Sequence, residues 1–135
     1  MNTDKEPLVL MADDDDDDCT LAKDAFRKSG ARGVIHCIEN GMELMDYLSR
    51  IDPVPDLILL DLNMPIKDGR LVLKEIKSTP AFQHIPVVVF TTSRETKDMA
   101  YSSEMGAQSF ITKPNTFGEW VSIMKSLADQ WLPAG

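Results

Sequence analysis

Basic residues are in short supply in this 135-residue chain: 14 Lys and Arg stand against 22 Asp and Glu, for a formal net charge of −8. That deficit excludes nucleic-acid backbones and anionic membrane surfaces as direct partners, because both are gripped by clustered Lys and Arg. A cation or a basic protein surface suits the chain better. Glycine is sparse at seven residues. Neither GxxxxGK[ST] nor GxGxxG occurs, and HExxH and GxSxG are missing too, which removes the common phosphate-cradling loops and two familiar hydrolase sites. The two cysteines, Cys19 and Cys37, form no CxxC pair. With no signal-like segment in "MNTDKEPLVLM", they are expected to be reduced and buried thiols. No apolar stretch approaches the ~20 residues of a membrane span. What remains is a globular composition, 43% hydrophobic and 27% charged, sized for one domain over residues 1–135 and expected in the cytoplasm.

Along the chain, short apolar runs alternate with longer amphipathic ones, the pattern of a parallel sheet covered on both faces. Strands are expected at 7–12, 33–38, 55–60, 85–90 and 108–112. Helices are expected at 16–29, 40–51, 68–78, 95–105 and 115–131. Gly30, Gly33, Asn40-Gly41 and the prolines at 53, 55, 65, 80, 86 and 114 mark the breaks between them. The last helix carries Phe117, Trp120, Val121, Met124, Leu127, Ala128 and Trp131 at spacings of three and four, an apolar stripe for the core. Trp131, at the fraying end, is the one member expected to face a partner instead. The fourth helix, "ETKDMAYSSEM", has few large apolar residues and should be the least firmly anchored.

Ligands of open parallel α/β sheets bind beyond the carboxyl ends of the strands. There the first strand delivers Asp13 and Asp14, the third Asp61, the fourth Thr91 and the fifth Lys113. Two carboxylates ~4 Å apart repel by about 4 kcal/mol at an effective dielectric of 20, so three together bind a cation or take up protons. All-oxygen ligands with room for water and phosphate suit Mg²⁺. An EF-hand is excluded, because "DDDDDDCTLAKD" lacks the central glycine and the closing glutamate. Beside Mg²⁺ a carboxylate can attack a phosphoryl group, and Lys113 and the Thr91 hydroxyl can serve its equatorial oxygens.

These residues resemble the receiver domain of two-component response regulators over nearly the whole chain. The resemblance is carried by "LMADDD", by "DLILLDLNMPIKDG" at 56–69, by "IPVVVFTTS" at 85–93 and by "SFITKP" at 109–114. It implies a flavodoxin-like, doubly wound five-stranded parallel sheet of order 2-1-3-4-5 with five helices. It also implies Asp61 as phospho-acceptor, Lys113 as the phosphate lysine, and Thr91 and Phe110 as switch residues. Asp13, Asp14, Asp61 and the backbone carbonyl of Asn63 would hold Mg²⁺. The Lys113-Pro114 bond is cis in similar proteins. A sensor histidine kinase or phosphotransfer protein would donate the phosphoryl group, and the output would be a change of protein partner. A homodimer through the face of the fourth helix, fifth strand and fifth helix, or through Trp131, is one such output. A DNA-binding output domain is not expected within residues 1–135, and "DQWLP" further resembles the single-domain regulators associated with bacteriophytochrome-type kinases.

Asp16 stands where many relatives have proline. In the aspartate run, Asp13 and Asp14 are expected at the metal, Asp15 as a helix cap or second layer, and Asp16, Asp17 and Asp18 along the first helical turn, away from the metal. His36 and His84 are expected to be structural, and Glu39 and Glu43 solvated. Two rival readings are an unswitched adaptor, which would lack one of the acidic or basic site residues, and a hydrolytic phosphatase, which would want an aspartate where Asn63 stands.

Overall fold

Almost unbroken Val, Ile and Leu in the runs at 55–60 and 85–90 leave no polar face, so those strands must be covered on both sides. The computed structural model, which describes residues 6–133, meets that demand with five parallel strands in the order β2-β1-β3-β4-β5. In chain order the elements are β1 (Leu8–Ala12), α1 (Asp16–Lys28), β2 (Val34–Ile38), α2 (Gly41–Arg50) and β3 (Leu57–Leu60). They continue with α3 (Gly69–Ser78), β4 (Val87–Thr91), α4 (Thr96–Glu104), β5 (Ser109–Thr112) and α5 (Phe117–Trp131). The strand order and the ten alternating elements are those expected from the sequence. The first residues of "MNTDKEPLVLM" lie outside the described residues.

Side chains alternate across a strand, and the core divides accordingly. On β3, Ile58 and Leu60 join Leu10, Val87 and Val89 under Leu44, Leu48, Val72, Leu73 and Ile76 of α2 and α3. Leu57 and Leu59 face the other way, with Val9, Met11, Val88 and Phe90, against Ala22, Ala25 and Phe26 of α1 and Trp120, Met124 and Leu127 of α5. Phe90 and Trp120 meet edge to face at 5.1 Å. Trp131, the residue expected to face a partner, packs against this second cluster, whereas Phe117 at the start of the stripe is the member left exposed.

Local chemistry sets the helix starts. Asp15, Asn40, Asp68 and Thr116 each accept a backbone N–H from the first turn of α1, α2, α3 and α5, while α4 begins at Glu95 with no side-chain cap. The expectation that α4 is the least firmly anchored helix is met in its apolar packing, but α4 has an ionic hold on α3. Its buried residues are polar, Asp98 and Ser102, and Asp98 is gripped from α3 by a two-pronged Arg70 pair, with Nε and Nη2 each 2.9 Å from a carboxylate oxygen. Ser93 Oγ donates to the same carboxylate at 2.7 Å, and the Tyr101 hydroxyl donates to the Arg70 carbonyl at 3.0 Å. The Arg70 hydrogen bond outweighs burial and holds the Asp98 carboxyl below its usual range. Helix propensity and apolar count overlooked this anchor because it is ionic.

Two further expectations fail. Cys19 and Cys37 are joined in a disulfide rather than standing as free thiols. Eighteen residues separate them in sequence, but the β1-α1-β2 crossover lays the start of α1 beside β2 and brings their Cα atoms to 6.3 Å. Closing a loop of that length restricts the unfolded chain by about 3 kcal/mol. Replacing both cysteines by serine should therefore lower the melting temperature by roughly 10 °C in calorimetry; an unchanged melting temperature would mean that the bond restrains nothing. The Lys113-Pro114 bond is trans, and among the described residues the cis peptide is Asp52-Pro53. The turn after β5 is held by two hydrogen bonds, Lys113 N–H to the Thr91 carbonyl at 2.8 Å and Trp120 Nε1 to the Pro114 carbonyl at 3.2 Å.

Candidate phosphoryl and metal site

Three of the residues expected at strand exits are fixed there by one more rung of the sheet. Asp13 N–H donates to the Ile38 carbonyl at 2.9 Å, Asp61 N–H to the Ala12 carbonyl at 3.0 Å and Lys113 N–H to the Thr91 carbonyl at 2.8 Å. The side chains consequently leave the sheet edge at the switch between β1 and β3, with positions set by backbone rather than by loop.

Asp13 and Asp61 are buried, and Asp14 is exposed. One carboxylate oxygen from each lies within 4.8 Å of the others, a spacing that a single ion can bridge. The donor set fits Mg²⁺: hard oxygens, two of the three side chains dry, and one open flank for water or substrate. Asn63 is exposed two residues past Asp61, and its N–H donates to Asp61 Oδ1 at 3.2 Å, which turns this loop back over the carboxylate.

The cationic side of the site is Lys113. Its Nζ lies 2.6 Å from Asp13 Oδ2, 2.7 Å from Asp18 Oδ2 and 3.6 Å from Asp61 Oδ2. Burial alone would lower the pKa of this ammonium, but the hydrogen bonds to Asp13 and Asp18 outweigh it and raise the pKa above the usual lysine range. For Asp13 burial wins, and its carboxyl is pushed up to about 6 despite the nearby ammonium. A desolvated carboxylate with a raised pKa is under-compensated, which is the electrostatic condition that favours a further cation.

Thr91, fully buried, donates from Oγ1 to Asp61 Oδ1 at 2.7 Å. Phe110 is half-buried on β5 and packs against the cluster under α2 and α3. Asp61, Asp13, Asp14, Thr91 and Lys113 thus converge, and Phe110 sits on the strand that carries the lysine. Asp15 caps α1, accepting from the N–H groups of Asp17 and Asp18 at 2.9 and 3.2 Å, while Asp16 and Asp17 are exposed. Asp18 departs from expectation by touching Lys113. Helical geometry could have signalled it, since Asp18 follows its cap at the third position and points back toward the strand ends. His36 stacks on Tyr47 at 5.0 Å, and His84, Glu39 and Glu43 are exposed and take no part.

Comparison with known proteins identifies the family and the fold. The response regulator receiver domain family matches residues 9–125. Response regulator Rcp1 of Synechocystis sp. is 33% identical over 130 residues, covering 93% of this chain and 88% of its own. The crystal structure of the phosphorylated cyanobacterial phytochrome response regulator RcpA superimposes with a TM-score of 0.87 at 36% identity, covering 95% of both chains. The Mn²⁺-bound form of Rcp1 superimposes with a TM-score of 0.84 at 32% identity over 96% of both.

Proposed function

The chain belongs to the response regulator receiver domain family, and from that premise we propose that it accepts a phosphoryl group on Asp61 and converts it into a change of protein partner. The observation that carries this reading is the meeting of Asp13, Asp14 and Asp61 within 4.8 Å, with the Lys113 ammonium 3.6 Å from Asp61 Oδ2. A sensor histidine kinase or phosphotransfer protein presents a phosphohistidine; its P–N bond breaks as Asp61 forms a P–O bond, and the histidine leaves with a proton. Asp13, Asp14, Asp61 and the Asn63 carbonyl would hold Mg²⁺, which when bound would supply neutralisation of the charge on the transferring group. Lys113 donates to one phosphoryl oxygen. Thr91, released from Asp61 Oδ1, donates to another.

The withdrawal of Thr91 links chemistry to output. It moves the end of β4 and the loop that carries Ser93, which is bonded to Asp98 of α4. Phe110 lies on β5, the strand paired with β4, and turns inward into the space so vacated. The face of α4, β5 and α5 then presents a different surface to a target or to a second copy. The resemblance to RcpA and Rcp1, one described as a phytochrome response regulator, supports a photoreceptor-type histidine kinase as the donor. We place the exchange in the cytoplasm, with residues 1–135 acting as one domain and without nucleic-acid contact.

Incubation with Mg²⁺ and acetyl phosphate should add one phosphoryl group to the wild type by intact mass, and none to Asp61→Asn. A wild type that gains nothing, or an Asp61→Asn protein that gains as much, would refute the assignment.

A further inference from the structure

Of the six consecutive aspartates, Asp18 is the one that both lies on the helix and enters the site. Its side chain is 19% accessible, and its Oδ2 sits 2.7 Å from Lys113 Nζ across 95 residues of sequence. The neighbouring Asp16 and Asp17 point to solvent. Asp18 is held in place by short-range contacts: its N–H bonds to Asp15, and the Asp15 N–H bonds to Asp13 Oδ1 at 2.9 Å. The next residue, Cys19, is tied to β2 by the disulfide. The carboxylate is therefore fixed relative to the end of β1.

An ammonium has three N–H donors. Here three carboxylates face it, those of Asp13, Asp18 and Asp61. Asp13 and Asp61 belong to the trio close enough to share a cation, and Asp18 does not. A divalent ion drawn to that trio would compete with Lys113 for the carboxylates of Asp13 and Asp61, whereas Asp18 stands outside the trio. The lysine stem is long and its rotamers are numerous, so an ammonium released by its partners would lose its aim.

We infer that Asp18 is a positioning residue, which holds the Lys113 ammonium beside Asp61 so that a remaining N–H points at the incoming phosphoryl oxygens. This rests on the acceptor reading of Asp61 and adds to it a residue that touches neither cation nor phosphoryl group. Orientation is established before the donor arrives, which is where such contacts contribute to rate.

The experiment compares wild type, Asp18→Ala, Asp18→Asn and Asp17→Ala in phosphoryl uptake from acetyl phosphate at saturating Mg²⁺, and in Mg²⁺ affinity by calorimetric titration. Asp18→Ala should slow uptake about tenfold, with the Mg²⁺ dissociation constant within about twofold of wild type. Asp18→Asn keeps an oxygen that accepts from the ammonium and should recover most of the rate. Asp17→Ala, which loses the same charge from the same helical turn, should match wild type. A structural role alone would lower the melting temperature without rescue of rate by Asn. An unchanged or faster Asp18→Ala protein overturns the inference and leaves the acceptor reading standing. A loss of Mg²⁺ affinity in step with rate overturns it in favour of a metal role. A wild type that takes up no phosphoryl group removes both.

Discussion

Asp14→Ala should abolish Mg²⁺-dependent phosphoryl uptake, with a fall of at least about a hundredfold, while its melting temperature stays close to wild type. The two halves of that result have one cause. Asp14 is the exposed member of the carboxylate trio, so removing it disturbs no core packing. It does remove one of the three charges that make the site attractive to a dication. Chelating the metal from wild type should give the same rate, and adding millimolar Mg²⁺ should restore wild type but not the variant. Asp13→Ala should be equally inactive but harder to interpret, because its carboxylate is buried against Lys113 at 2.6 Å and its loss leaves that ammonium short of a partner. Comparable uptake by Asp14→Ala and wild type, read by intact mass over time, would remove the metal role from this residue.

The second large effect concerns a residue that does no chemistry. Gly69 opens α3, and its N–H donates to the Leu62 carbonyl at 3.0 Å. A Cβ built there would lie 2.2 Å from the Asp61 carbonyl oxygen and 2.7 Å from the Leu62 Cα. Both obstacles are backbone, which cannot rotate away like a flexible side chain. Gly69→Ala must push α3 off the end of β3 or drag Asp61 out of line. We expect a loss of about 3 kcal/mol, seen as a fall of roughly 10 °C in melting temperature. We also expect slower phosphoryl uptake in the fraction that remains folded. Gly118→Ala is the control: nothing lies within 4 Å of its Cβ, and on α5 it should be neutral or slightly stabilising. Equal stability of the two alanine variants would show that the β3-α3 junction yields more easily than its backbone spacing implies.

The sheet and most of the site were legible in the sequence, because both depend on short-range regularities. Four of the five apolar runs are followed by a reactive residue, and they already state that Asp13, Asp61, Thr91 and Lys113 share an edge. What stayed hidden depends on how elements from distant parts of the chain lie against one another. Cys19 and Cys37 bear no spacing signal, since nothing in an 18-residue separation says that α1 returns over β2 at that height. Asp98 reads as an ordinary surface charge in a weak helix until Arg70, 28 residues earlier, is found paired with it. Asp18 falls in the expected helical turn, and its face follows from the cap at Asp15, but its partner Lys113 lies 95 residues away in sequence. The Lys113-Pro114 bond was expected to be cis by resemblance alone, and it is trans.

The polar anchor of α4 has a consequence beyond stability. Starting at Asp61, hydrogen bonds run through the Thr91 hydroxyl to the Ser93 N–H at 3.4 Å, then from Ser93 Oγ to Asp98 and on to Arg70. Arg70 Nη1 reaches back to the carbonyl of Leu62, the residue after Asp61, at 3.4 Å. The path is a closed circuit, and α4 is one of its segments. In a circuit of this kind the coupling is reciprocal: whatever free energy a change at Asp61 imposes on the seating of α4, a protein that grips α4 imposes on Asp61. The target of this domain would then be an effector of its own signal, shifting the equilibrium at Asp61 as far as Asp61 shifts its binding.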